Sequence, residues 1–161
     1  MKICLIKMNL EQISEEELKE LFAKSNESPK KRAIKTFHED SYKGSQVCLN
    51  VIQPESYIRP HFRYQDESII HHSGKLFSIC FDENGGLIKK NDLNQISPYL
   101  FLPKQTYHTI VALEPNSAIW VIIQGPHNPN EFRKDLEIAP RENDDYNEYF
   151  VWGQALPQIL K

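Results

Sequence analysis

The chain has 161 residues, 40% of them hydrophobic and 25% charged, which suits one domain of ordinary size with a core that needs no metal or disulfide as a staple. A formal net charge of -3 and a pI near 6.1 argue against a nucleic-acid or anionic-membrane partner, since no basic stripe exceeds Lys30, Lys31 and Arg32, which read as a solvated surface. Cys4, Cys48 and Cys80 are widely spaced and include no Cys-x-x-Cys pair, so neither a disulfide framework nor a thiolate zinc site is indicated.

The N-terminal apolar run, Ile3 to Ile6, is too short for a signal h-region, and no stretch approaches the roughly 18 apolar residues of a membrane span. A cytoplasmic location is expected. Ser14 with Glu17 three positions later forms a capping box, and Leu18, Leu21 and Phe22 follow at helical spacing, predicting a helix that ends near Ser25. A polar loop carrying Pro29 comes next, then a short extended piece over 33–38.

From Gln46 the pattern changes to period two in short runs. Strands are expected over 46–53, 57–61, 68–72, 75–81, 87–90, 99–102, 107–113 and 118–125, with turn signals at Pro54-Glu55, Ser73-Gly74, 82–86, Ser97-Pro98 and 114–117. Eight short strands behind one helix predict a mainly β protein with a jelly-roll or related barrel. The expected organisation is an N-terminal strand/helix extension over 1–27, a barrel over 28–126 and a covering tail over 127–161. The tail's apolar end, Tyr149 to Trp152 with Leu156, Ile159 and Leu160, must be buried on the barrel or across a subunit boundary.

Within the barrel, Pro60-His61-Phe62-Arg63-Tyr64-Gln65-Asp66-Glu67 and, some forty residues later, Pro103 to His108 carry the chemistry. Two histidines and a carboxylate from separate extended segments are what a divalent transition metal needs when held on one side and left open on the other. Strand residues two apart share a face, so His61 and Arg63 point the same way.

The pattern His61-x-Arg63-x3-Glu67-x6-Gly74, then Pro103-x4-His108, resembles the two motifs of the cupin superfamily, with arginine where the first motif has its second histidine. Ser28 to Arg32, Phe37-His38, Ser56 to His61, Phe81 to Gly85, His108-Thr109-Ile110, Gly125-Pro126 and Ala139 to Glu142 together resemble the WbuC-like cupin-fold metalloproteins, encoded among bacterial surface-polysaccharide genes. The resemblance covers roughly 28–142. It implies a cupin jelly roll with a divalent transition metal (Zn, Fe, Mn or Ni) on His61, Glu67 and His108. It also implies a small-molecule ligand and a role in lipopolysaccharide (O-antigen) biosynthesis. Glu55, Ser97 and Gln105 stand where the motifs have glycine, and Ala112 where the second ends in asparagine.

Arginine cannot coordinate a cation, which leaves three arrangements open. The three remaining ligands hold a metal while Arg63 fixes an anionic substrate; or the guanidinium takes the metal's place and pairs with Glu67; or Gln65, His71 or His72 supplies another ligand. An enzyme would use Glu67 and Arg63 at the reacting centre, as a metal-dependent isomerase, epimerase or oxygenase, with Arg59, Arg63, Tyr64 and Tyr107 contacting substrate. The rival is a metal-free module that binds a small anion or sugar. His38 reads as a packing or surface histidine and His127 as exposed, and a homodimer is expected from the apolar tail.

Overall fold

The protein is described from a computed structural model over residues 12–38, 43–126 and 133–142. The expectations for Cys4, His127 and the apolar end of the tail lie outside these residues. Helix α1 (Glu15–Glu27) opens as the capping box requires: Ser14 Oγ accepts the Glu17 N–H at 3.2 Å and Glu17 Oε2 accepts the Ser14 N–H at 2.9 Å. The helix lays Leu21, with Leu18 and Phe22, on Leu49, Val51 and Ala118.

Among the described residues ten strands follow: β1 (Arg32–Thr36), β2 (Ser45–Ile52), β3 (His61–Arg63), β4 (Glu67–Ser73), β5 (Leu76–Phe81), β6 (Leu87–Leu93), β7 (Tyr99–Leu102), β8 (Tyr107–Ala112), β9 (Ser117–Gln124) and β10 (Arg133–Asp135). They make two antiparallel five-stranded sheets, in the orders β1-β2-β9-β4-β7 and β10-β3-β8-β5-β6. This is a jelly-roll arrangement, mainly β with one N-terminal helix. Residues of alternate parity from both sheets meet between them. Ile52, Ile69, Val121 and Ile123 from the first sheet interlock with Leu76, Cys80, Leu93, Ile110 and Ala112 from the second in one buried cluster. Outside, α1 covers part of the first sheet, and Leu136 and Ala139 cover Phe77, Ile79 and Phe81 on the second.

Two differences from the sequence expectation bear on the site. The predicted strand over 57–61 does not form; only its last residue, His61, joins a sheet, as the first residue of β3. Pro60 has no N–H to donate, and the backbone ahead of it is bonded instead to side chains and loops from both ends of the domain. The unpredicted β10 is three residues long and pairs with β3 in the register Arg133↔Arg63, Asp135↔His61. So short and polar a run carries no periodic signal.

Gly74 is required where it stands. It has φ +75, and a Cβ there would sit 2.2 Å from Ser117 Oγ. Gln105, which replaces a motif glycine, is held at φ 63.

Candidate functional site

Three strands bring the motif residues together at the inner face of the barrel. His61 on β3 and His108 on β8 are direct cross-strand partners, their rings 4.9 Å apart between centroids. Glu67 opens β4 on the facing sheet, and its Oε2 lies 3.3 Å from His108 Nε2. Arg63, two residues after His61 and on the same face, puts its Nε 3.3 Å from Glu67 Oε1. His61, Glu67 and His108 are 5%, 4% and 3% exposed, so these polar groups sit inside the protein.

Both imidazoles are oriented in the same manner. His61 Nδ1–H donates to the Arg59 carbonyl at 2.9 Å, and His108 Nδ1–H donates to the Thr106 carbonyl at 3.0 Å. A carbonyl can only accept, so each ring carries its proton on Nδ1 and turns Nε2 inward. His61 Nε2 has no hydrogen-bond partner among the described residues. Burial, followed by the neighbouring His108 and Arg63, lowers the His61 pKa to about 3, so this ring is neutral. Burial pushes the Glu67 carboxyl up, but His108 and the Arg63 guanidinium outweigh it and hold it at about 2.

With its Nδ1–H given to Thr106, His108 turns Nε2 toward Glu67 Oε2, so a ring nitrogen and a carboxylate oxygen face one another inside the barrel. Their 3.3 Å separation is about the spacing of two donors on one ion bound at roughly 2.1 Å. Among the described residues no group of three His, Cys, Asp or Glu side chains is placed to hold a metal ion. The donor set, two imidazole nitrogens and a carboxylate, nevertheless fits a divalent transition metal in kind, with Arg63 taking the carboxylate's other oxygen.

The remaining sequence candidates lie elsewhere. The Arg59 guanidinium donates to the carbonyls of Leu136, Glu137 and Ala139 and pairs with Asp135, so it holds the 135–139 segment. Tyr64 and Tyr107 pack edge-on around Phe62, and Tyr107 joins the cluster of Phe77, Ile79 and Phe81, on the face of β3 and β8 opposite His61 and His108. His71 bonds the Gly74 carbonyl, and His72 accepts the Trp120 indole N–H beside helix α1's cluster. Gln65 lies in the turn between β3 and β4. His38 is bonded to the backbone of Val47.

Two features escaped the sequence reading. Cys48, on β2, packs against the inner cluster with Asn50 donating to its Sγ at 3.4 Å, and Cys80, on β5, is the direct cross-strand partner of His108. Burial raises both thiols. Period-two counting along β2 and β5 from the buried residues would have turned them inward. The second feature is what Glu142 binds: the sequence offers it only as the end of the 139–142 segment, and its carboxylate accepts from Lys30, Arg32, Arg133 and the Arg59 backbone N–H.

Among known proteins, the family model described as Domain of unknown function (DUF6016) matches residues 13–93. No curated protein matches. Solved structures that resemble the chain include CapF with the inhibitor 3-isopropenyl-tropolone, at 17% identity and TM-score 0.59 over 69% of this chain and 33% of that one. The capsular polysaccharide assembling protein CapF from Staphylococcus aureus matches at 18% identity and TM-score 0.55, over 66% and 30%. Oxalate decarboxylase from Bacillus subtilis at pH 4.6 matches at 18% identity and TM-score 0.52, over 65% and 27%. The chain thus spans about a third or less of these proteins, and the likeness carries the fold, a cupin-type jelly roll.

Proposed function

This chain belongs to the DUF6016 family, described as a domain of unknown function, and we propose that it binds a small polar molecule, of the sugar or sugar-nucleotide kind, inside a cupin barrel. In this reading a divalent transition metal is held by His61, Glu67 and His108. The observation that carries it is the shared orientation of the two imidazoles. Each gives its Nδ1 proton to a backbone carbonyl and so turns Nε2 away from that carbonyl, with His108 Nε2 lying 3.3 Å from Glu67 Oε2.

A bound divalent ion would supply Lewis-acid polarisation of a substrate carbonyl or hydroxyl. The chain's own residues do the rest. Arg59 and Thr106 carbonyls take the Nδ1 protons and aim the rings, and the low-pKa Glu67 carboxylate stays charged. Arg63 adds a second positive charge beside it, which suits an anionic substituent such as a phosphate. The likeness of the sequence motifs to WbuC-like proteins supports a place in bacterial surface-polysaccharide synthesis. So does the likeness in fold to CapF, a capsular polysaccharide assembling protein. Oxalate decarboxylase, another of the similar folds, is described with Mn(II) centres. No described helix is long and apolar enough to cross a membrane, and we place the protein in the cytoplasm.

Elemental analysis of protein purified without chelator tests the reading. The expected result is close to one equivalent of a single transition metal per chain; less than about a tenth of an equivalent defeats it. The Arg63–Glu67 contact favours one second reading, a metal-free barrel in which the guanidinium supplies the charge that an ion would bring. Arg63→His separates the two. Metal affinity that rises from nothing to tight assigns the native site to the metal-free reading, whereas affinity that barely changes shows the metal already bound.

A further inference from the structure

His61 reaches the site from a segment that no sheet supports. Residues 53–60 lie outside every strand, and their polar groups are bonded to two stretches of chain far away in sequence. From the N-terminal side, Ser56 Oγ donates to the Lys30 carbonyl at 2.9 Å and Arg32 Nη1 donates to the Tyr57 carbonyl at 2.6 Å. From the C-terminal side, the Pro140 carbonyl accepts the Tyr57 hydroxyl at 3.0 Å, and the Leu136 N–H donates to the Pro60 carbonyl at 2.8 Å.

These two stretches meet at one carboxylate. Glu142, with its side chain 11% exposed, accepts from Arg32 Nη2 at 2.6 Å, Lys30 Nζ at 3.2 Å and Arg133 Nη2 at 3.4 Å, and from the Arg59 backbone N–H at 3.4 Å. Arg32 uses one arm of its fork on Glu142 and the other on the Tyr57 carbonyl. The Arg59 residue is bracketed as well: its N–H faces Glu142 and its carbonyl takes the His61 Nδ1 proton.

We propose that Glu142 is a positioning residue for the inner site, fixing through Arg32 and the Arg59 backbone the carbonyl that keeps His61 Nε2 unprotonated and turned inward. Without the carboxylate charge, Lys30, Arg32 and Arg133 repel one another across a half-buried space, and Arg32 loses the partner that orients it toward Tyr57. The Arg59 carbonyl then shifts, and the imidazole is no longer committed to one tautomer. The proposal takes His61 to be a site residue, as the preceding reading does, but needs no metal, so the two can fail separately.

The test is nitrogen-15 NMR of the histidine rings in the metal-free full-length chain, comparing native protein with Glu142→Gln. Native protein should show His61 as the Nδ1–H tautomer alone, and Glu142→Gln should show a resolved population of the Nε2–H form. Arg32→Lys, which keeps the charge but not the two-armed fork, serves if Glu142→Gln does not fold, with the same shift expected. Ser14→Ala, a loss of helix cap far from the site, controls for stability and should leave His61 unchanged. The proposal is overturned if His61 keeps one tautomer with unmoved ring signals in the site variants, or if Ser14→Ala moves them equally.

Discussion

At the residue scale, Arg63 and Gln105 each carry a distinct physical consequence. Arg63 introduces a permanent charge on the inner face, where it is matched by Glu67. Removing either partner of a pair this enclosed leaves the other uncompensated, a penalty of several kcal/mol, which is why Arg63→His is a sharper test than truncation. Gln105 spends conformational energy instead. At φ 63 its Cβ crowds the backbone at about 1 kcal/mol, a strain that glycine does not feel. Gln105→Gly should therefore stabilise the fold by up to about 1 kcal/mol, raising the melting temperature by about 2–4 °C. A melting curve that is unmoved or lowered would show the side chain repaying its strain through a contact.

At the scale of elements, the site depends on strands that the short C-terminal stretch holds in place. β10 pairs with β3 along the two residues that carry His61 and Arg63, and the chain beyond it covers the outer face of β5. Glu142 lies in this stretch with a strongly acidic carboxyl: burial pushes it up, but Arg32 above all, with Lys30 and Arg133, holds it at about 2. Because the folded value lies below the unfolded one near 4.5, the interaction stabilises the fold above about pH 4.5 and is lost as pH falls toward 2. Urea midpoints measured between about pH 6 and pH 3 should fall more steeply for the native chain than for Glu142→Gln. Equal slopes would mean that Glu142 does not contribute to acid stability.

At the scale of the whole molecule, β7 is the last strand of the first sheet among the described residues, and it leaves Tyr99 58% and Phe101 49% exposed. Open strand edges with exposed aromatic residues are pairing surfaces. We expect two chains to associate there. Light scattering should return about twice the 18.8 kDa chain mass, with Phe101→Lys shifting it to the single-chain value. A native mass equal to one chain removes the expectation.

The sequence by itself determined the helix and seven of the strands to within a few residues, while the grouping of His61, Glu67 and His108 was implied by a resemblance of motifs. Capping, period-two burial and ligand types are properties of residues close in sequence, where sterics and solvation act locally. It also showed that Arg63 must share a face with His61. Only the tertiary structure decided what that arginine touches, which way Tyr64, Tyr107 and Arg59 turn, and that Lys30, Arg32, Arg59 and Arg133 converge on Glu142. Those facts depend on which strands lie side by side, and a carboxylate's partners 110 residues away leave no periodic mark on the chain that carries them.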